Sequence, residues 1–153
     1  MKIKNVNKKA TARLEALIRG MDQPGDAKKW GETGGAIMPL VVDYLGPAQC
    51  GGKLFAVSQF GMENGDLMRD PEYVFLRREK EGTKFWYPIE YTNHYVGVCQ
   101  QLVIFGADRM VVQPSNQRAA VAYINGSSNE TGWLEILEQY YPEAFSESLS
   151  PTG

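Results

Sequence analysis

Hydrophobic residues recur at helical spacing near both ends of the chain. Spacings of three and four predict an amphipathic helix over residues 10–21, with Asn7 placed to cap its first turn. The same spacing predicts two further helices over residues 116–124 and 133–141, the second ended by the proline that follows it. Residues 22–35 are rich in glycine and read as a loop. The ends of the chain are therefore expected to be helical.

The middle of the chain has the pattern of strands. Five runs of β-branched and aromatic residues are separated by turn residues, at 37–45, 54–60, 73–78, 84–91 and 95–105. Asn64-Gly65 and Glu81-Gly82 predict hairpin turns between them. Alternation in the fourth strand puts Phe85, Tyr87, Ile89 and Tyr91 on an apolar face and leaves Trp86 on the mixed face. An apolar face needs a cover, which the helices can supply. We expect an α+β fold: a five-stranded, mostly antiparallel meander, with the amino-terminal helix and the two carboxyl-terminal helices covering one face.

Composition indicates one ordinary globular domain over residues 1–153, with a frayed tail at 146–153. The hydrophobic fraction of 43% and charged fraction of 22% are typical of folded proteins. The first residues are polar and no apolar run could cross a bilayer, so we expect neither a secretory leader nor a membrane partner. A cytoplasmic setting follows, with Cys50 and Cys99 as free thiols. No CxxC pair occurs, and no cofactor is expected.

The most distinctive residues lie in two short segments. Residues 64–72 read NGDLMRDPE, and residues 93–97 read NHYVG, with a Tyr-Pro pair at 87–88 between them. This pattern resembles an uncharacterised domain family of bacterial mobile elements and phage-derived islands. The resemblance covers roughly residues 40–105. It implies an α+β domain of unknown function with no assigned catalytic residues.

Our favoured hypothesis is a non-enzymatic binding or accessory protein. We expect the hairpin at 63–72 and the turn at 93–97 to contact a macromolecular partner, with a protein favoured over a nucleic acid. The candidate partner-binding residues are Asn64, Asp66, Arg69, Asp70, Asn93, His94 and Tyr95. A purely structural reading is also open, in which the aspartates accept backbone N–H groups of the turn.

An enzyme is the first alternative. Carboxylates such as those of Asp66 and Asp70 suit Mg²⁺ or Ca²⁺, although the spacing is not that of an EF-hand loop. His94 is the only histidine, and Cys99 is a possible thiol nucleophile five residues further on. Neither stands in a recognisable nucleophile motif. The main hypothesis therefore assigns no catalytic residue and no metal.

Nucleic-acid binding is the second alternative. The net charge of −2 gives no global electrostatic case for it, but basic residues gather in the first nineteen positions and on one hairpin. The cationic candidates on that hairpin are Arg77, Arg78, Lys80 and Lys84. Bases could stack on the aromatic residues that follow, which are Phe85, Trp86, Tyr87, Tyr91 and Tyr95. The opposing interpretation is that these aromatic residues form the core.

Overall fold

The computed structural model describes residues 3–31, 38–49, 51–63, 66–105 and 110–146 of the chain. In chain order the elements are α1 (Lys8–Leu17), β1 (Ala27–Trp30), β2 (Leu40–Pro47), β3 (Lys53–Glu63), β4 (Asp66–Lys80), β5 (Thr83–Asn93), β6 (Val98–Gln101), β7 (Val103–Phe105), β8 (Met110–Val112), α2 (Pro114–Asn125), α3 (Trp133–Tyr140) and α4 (Pro142–Phe145). Within these ranges, no helix combines the length and the apolar character needed to cross a membrane.

Strands β1 to β6 form one antiparallel sheet in chain order, and β7 pairs with β8 in a separate hairpin. The expected α+β class and antiparallel meander are confirmed, but the count of five strands is wrong, because the main sheet has six. The missed strand is β1, which lies inside the predicted loop 22–35. Its four residues pair with β2 alone and lack an apolar run, so only pairing across the chain identifies it. The predicted turn at 64–65 lies outside the described residues, although Glu63 pairs with Asp66 beside it.

The predicted fifth strand, 95–105, is divided into three parts. Residues 94–97 form a turn, in which Gly97 takes the left-handed φ of 68°. Strand β6 follows and pairs with β5. At the buried Leu102 the chain leaves the sheet: its N–H donates to the Ile89 carbonyl at 2.8 Å, and its carbonyl accepts from Gln113 N at 2.9 Å. Strand β7 therefore pairs with β8 rather than extending the main sheet.

The three predicted helices are present, and a fourth, α4, follows them. Asn7 caps α1 as expected, since its side-chain oxygen accepts from the Ala10 N–H at 2.8 Å. Helix α3 ends at Tyr140, before Pro142, as expected. Pro142 also opens α4, where the missing proline N–H has no helical partner to lose. The described helices therefore number four rather than three.

The helices contact one face of the sheet, which we call the helix face, and the opposite one the far face. Val42, Phe55, Phe75 and Trp86 are fully buried on the helix face. The sequence pattern placed Phe85 and Tyr87 on the apolar face of their strand, but Trp86 lies against α1 instead, with its indole bonded to Glu15. A bulge between Val74 and Phe75 shifts the pairing with β5, so simple alternation does not hold along the whole strand.

Candidate functional site

The two distinctive sequence segments meet at one end of the sheet. The Asn93 side-chain amide donates to Asp70 Oδ1 at 2.9 Å. The Arg69 N–H donates to His94 Nδ1 at 3.1 Å, and the His94 N–H donates to the Arg69 carbonyl at 2.9 Å. We call the group Arg69, Asp70, Asn93, His94 and Tyr95 the hairpin–turn cluster. The fold thus brings together five of the seven predicted partner-binding residues.

The residues in and beside the turn at 94–97 match the contacts and the backbone conformation of that turn. Asn93 Oδ1 accepts from the Tyr95 N–H at 3.1 Å, the local bond that asparagine commonly forms in turns. The Tyr95 hydroxyl lies against Gly61 of β3 so closely that a methyl group added there would overlap it. Gly97 supplies the left-handed backbone conformation. The Asn-x-Tyr-x-Gly pattern therefore encodes a turn held against the neighbouring hairpin.

Two apolar side chains of this turn remain in solvent. Tyr95 is 41% exposed and Val96 is 68% exposed. The His94 ring is also exposed, and its Nδ1 is already used as an acceptor. The backbone of the turn is thus held by hydrogen bonds, while the side chains at its tip are exposed to solvent.

Beside the cluster, the far face carries a group of charges. Arg69 Nε lies 3.1 Å from Glu72 Oε2, but the N–H is not directed for a hydrogen bond, so the attraction is Coulombic. Burial raises the pKa of Glu72 above its ordinary value; Arg69 opposes this shift, and the carboxylates of Asp43 and Glu90 reinforce it. Burial likewise raises the pKa of Asp43. Sequence analysis missed Asp43, although a charge inside the apolar run of β2 was a signal.

The far face also holds a buried hydroxyl. Ser58 is 0% exposed, and its Oγ has no hydrogen-bond partner among the described residues. Ser58 pairs directly with Glu72 across β3 and β4, so both side chains lie on the same face. This buried polar position lies next to the charge group around Arg69.

The enzyme alternative used Asp66, Asp70, His94 and Cys99. Within the described part of the chain, the hydrogen bonds of these residues do not join them into a catalytic group. Asp70 is bonded to Asn93, and the Cys99 sulfur is exposed and 3.7 Å from the Thr92 hydroxyl. No three histidine, cysteine or acidic side chains described by the structure converge as metal ligands. Asn64, Cys50 and the side chain of Asp66 lie outside the described residues.

The four cationic candidates are divided between the two faces. Arg77 lies on the helix face, where its Nε and Nη2 donate to Glu15 at 2.6 and 2.9 Å. Lys84 acts on the same carboxylate electrostatically. Arg78 pairs across the strands with Phe85, and Lys80 pairs with Thr83, which places them on the far face. Of the aromatic candidates, Trp86 is core and Phe85 with Tyr87 lies on the far face.

These features define an α+β domain built on an antiparallel meander, with a hydrogen-bonded turn at one end of its sheet. Residues 12–126 match the model of a family described as Domain of unknown function (DUF6908), and the chain belongs to this family. No curated protein and no solved structure matches the chain. The expectation of an uncharacterised domain family is confirmed, and the matched range includes the whole of the segment 40–105.

Proposed function

We propose that this protein is a non-enzymatic binding or accessory protein that presents the hairpin–turn cluster, together with Val96, to a protein partner. The supporting observation is the fixed turn whose apolar residues Tyr95 and Val96 stay exposed. A turn already held by hydrogen bonds loses little conformational freedom on binding. More of the free energy gained by burying the two side chains is therefore available for affinity.

The composition of the cluster also favours a protein partner. Tyrosine and arginine are enriched where proteins contact one another, and a polar rim around an apolar centre is the usual arrangement. Here Tyr95 and Val96 supply the apolar centre, while Arg69 and His94 supply polar groups around it. The Arg69 side chain is 43% exposed, so it can reach a partner from its place beside Glu72.

The same proposal includes a bacterial origin in a mobile genetic element. Its support is the resemblance of roughly residues 40–105 to domains of bacterial mobile elements and phage-derived islands. The roles that such elements require of accessory proteins are conjugation, replication and evasion of host defence. A deletion of the gene is expected to lower transfer or maintenance of the element, and complementation with Val96→Glu is expected not to restore it.

Site-specific crosslinking tests the binding surface. A photoreactive amino acid replaces Val96 in the full chain, expressed in the organism that encodes it. The matched control carries the same amino acid at Leu45, which is 52% exposed on β2. We expect a discrete crosslinked protein from position 96 and none from position 45. Identical patterns from the two positions, or no product from position 96, would overturn the proposal.

The captured partner is then titrated with purified variants. Val96→Glu is expected to weaken binding by about ten-fold or more, as for a residue at the centre of an interface. Leu45→Glu introduces the same charge at the control position and is expected to leave affinity unchanged. Equal affinities for Val96→Glu and the wild type would show that the turn is not the contact.

A further inference from the structure

Phe85 and Tyr87 form a stacked aromatic pair on the far face of β5. Their ring centroids lie 6.4 Å apart with planes 17° from parallel, and both side chains are partly exposed. Directly across on β4 are Arg78 beside Phe85 and Leu76 beside Tyr87. The far face therefore offers two nearly parallel, partly exposed rings with Arg78 beside them.

A groove of about 700 Å³ runs beside this pair, between the Gly51–Gly52 turn and the β4–β5 hairpin. The turn lies directly on β4, since a methyl group added at Gly52 would overlap the Arg77 carbonyl. The ionisable residues lining the groove are Lys53, Arg77, Arg78, Lys80 and Glu79. Four are basic and one is acidic, although the whole chain carries a net charge of −2. Of the four, Arg78 and Lys80 lie on the far face with the aromatic pair, whereas Arg77 is bonded to Glu15 on the helix face.

A second groove, of about 980 Å³, shares Phe85 with the first. It runs along the amino-terminal segment and the start of α1, and its ionisable lining residues are Lys4, Lys8, Lys84 and Glu15. Phe85 therefore stands between two grooves in which basic side chains outnumber acidic ones. An extended polyanion lying across Phe85 would meet cations on both sides of the ring.

We infer that this surface, the Phe85–Tyr87 platform with its two grooves, binds single-stranded nucleic acid. Exposed aromatic rings stack on any base, and basic grooves attract the phosphate backbone without reading its sequence. A duplex buries its base faces, so it cannot use the rings. Arg77 is not assigned a phosphate, because its guanidinium is bonded to Glu15.

The platform is independent of the surface proposed for the protein partner. Arg69 and Arg78 lie at opposite ends of β4, roughly 30 Å apart at the usual rise of a strand. A substitution at Tyr87 therefore tests the platform and leaves the hairpin–turn cluster in place. A substitution at Val96 does the reverse.

Fluorescence anisotropy with labelled oligo(dT) and oligo(U) of about 15 nucleotides at low salt tests the platform. We expect binding to single strands and much weaker binding to a duplex of equal length. Tyr87→Ala is expected to weaken binding about ten-fold, from the loss of a stacked base. Tyr140→Ala removes a ring that is 54% exposed on α3 and is expected to have no effect. If Tyr87→Ala lowers stability, Phe85→Leu keeps apolar bulk, removes the stacking ring and replaces it in the test.

The salt dependence tests the grooves. Arg78→Ala combined with Lys80→Ala is expected to reduce the slope of log affinity against log salt by roughly 1.4, the value for two phosphate contacts on a single strand. Lys9→Ala with Arg13→Ala removes the same charge from a separate groove between α1 and α3, and is expected to leave the slope unchanged. A preference between oligo(dT) and oligo(U) would identify the natural strand as DNA or RNA.

Three results would overturn the inference. The first is no binding to either oligonucleotide at low salt. The second is equal binding of the duplex, since paired bases cannot stack on the platform. The third is binding that heparin competes away and that both Tyr87→Ala and Phe85→Leu leave unchanged, which would mean attraction of any polyanion to the basic side chains.

Discussion

Two of the arginine–carboxylate pairs that involve strand β4, one near each end, differ in geometry. Arg77 donates two hydrogen bonds to Glu15, at 2.6 and 2.9 Å, and Glu15 also accepts the Trp86 indole N–H at 2.7 Å. Arg69 approaches Glu72 at 3.1 Å without a directed hydrogen bond. The first pair joins α1 to the sheet, and the second lies on the far face and includes Arg69 of the hairpin–turn cluster.

The carboxyl pKa values shift in opposite directions. Burial raises the pKa of Glu15, but the hydrogen bonds from Arg77 and Trp86, together with the charges of Arg77 and Lys84, outweigh burial and the net pKa lies below its ordinary value. Burial also raises the pKa of Glu72, and there the nearby acids Asp43 and Glu90 add to the effect, so the pKa stays above its ordinary value. A half-buried carboxyl therefore favours its charged form where it accepts directed hydrogen bonds from cations. It favours its neutral form where such bonds are missing and other carboxylates lie nearby.

The largest expected effect comes from breaking the first pair. Glu15→Ala removes the acceptor of the buried Trp86 indole N–H and leaves the Arg77 guanidinium with only Glu79, at 3.5 Å, so we expect a loss of about 2–3 kcal/mol in the free energy of unfolding. Urea denaturation at neutral pH measures it. Glu15→Gln keeps an acceptor for the indole and is expected to lose less. A loss no larger than that of an exposed substitution such as Glu130→Ala would show that the pair does not hold α1.

The contribution of Glu15 to the free energy of unfolding depends on pH, and the direction of its pKa shift sets the sign. Because the pKa of Glu15 in the folded protein lies below its ordinary value of 4.5, ionisation stabilises the fold above that value. The contribution is lost as pH falls through the lowered pKa. The stability difference between the wild type and Glu15→Gln should therefore narrow in acid. A difference that stays constant from neutral to strongly acidic pH would contradict this assignment.

A smaller effect is expected at the turn. Asn93→Ala removes the bond to Asp70 and the acceptor of the Tyr95 N–H, so we expect a loss of about 1–2 kcal/mol in unfolding free energy. Hydrogen exchange of the Tyr95 amide should quicken as the turn loosens. Asn129→Ala, in an exposed bend, is the matched control and should change neither quantity. Equal behaviour of the two variants would mean that Asn93 does not fix the turn.

The parts of the fold that could be predicted from sequence have local signatures. The cap at Asn7 and the Glu81-Gly82 turn depend on residues within one or two turns of chain, and both appear as expected. Strand β1 has no such signature, because its identity comes from pairing with β2. The register shift between Val74 and Phe75 belongs to the pairing of β4 with β5, so simple alternation along β5 assigned Trp86 to the wrong face.

The candidate site was only partly visible for the same reason. The two distinctive segments stood out in the sequence, but the bond between Asp70 and Asn93 spans 23 positions and depends on the register of β4 and β5. Asp43 and Ser58 join the far-face charge group through the pairing of three strands. The sequence shows that Asp43 and Ser58 are polar residues within apolar runs, but it does not show that they lie on the same face as Glu72.

The smallest expected effect, and the one with the opposite sign, is at Glu72. Its pKa lies above the ordinary value, so the charged form disfavours folding at neutral pH. Glu72→Gln removes that charge and is expected to raise the free energy of unfolding by less than about 1 kcal/mol. As pH falls through the raised pKa, the wild-type carboxyl becomes neutral in the folded protein and the advantage of Gln disappears. Glu130→Gln, in an exposed bend, is the matched control. The contrary result is that, at neutral pH, Glu72→Gln lowers the free energy of unfolding as much as Glu15→Gln does. The Arg69–Glu72 pair would then stabilise the fold as much as the Arg77–Glu15 pair, despite its different geometry.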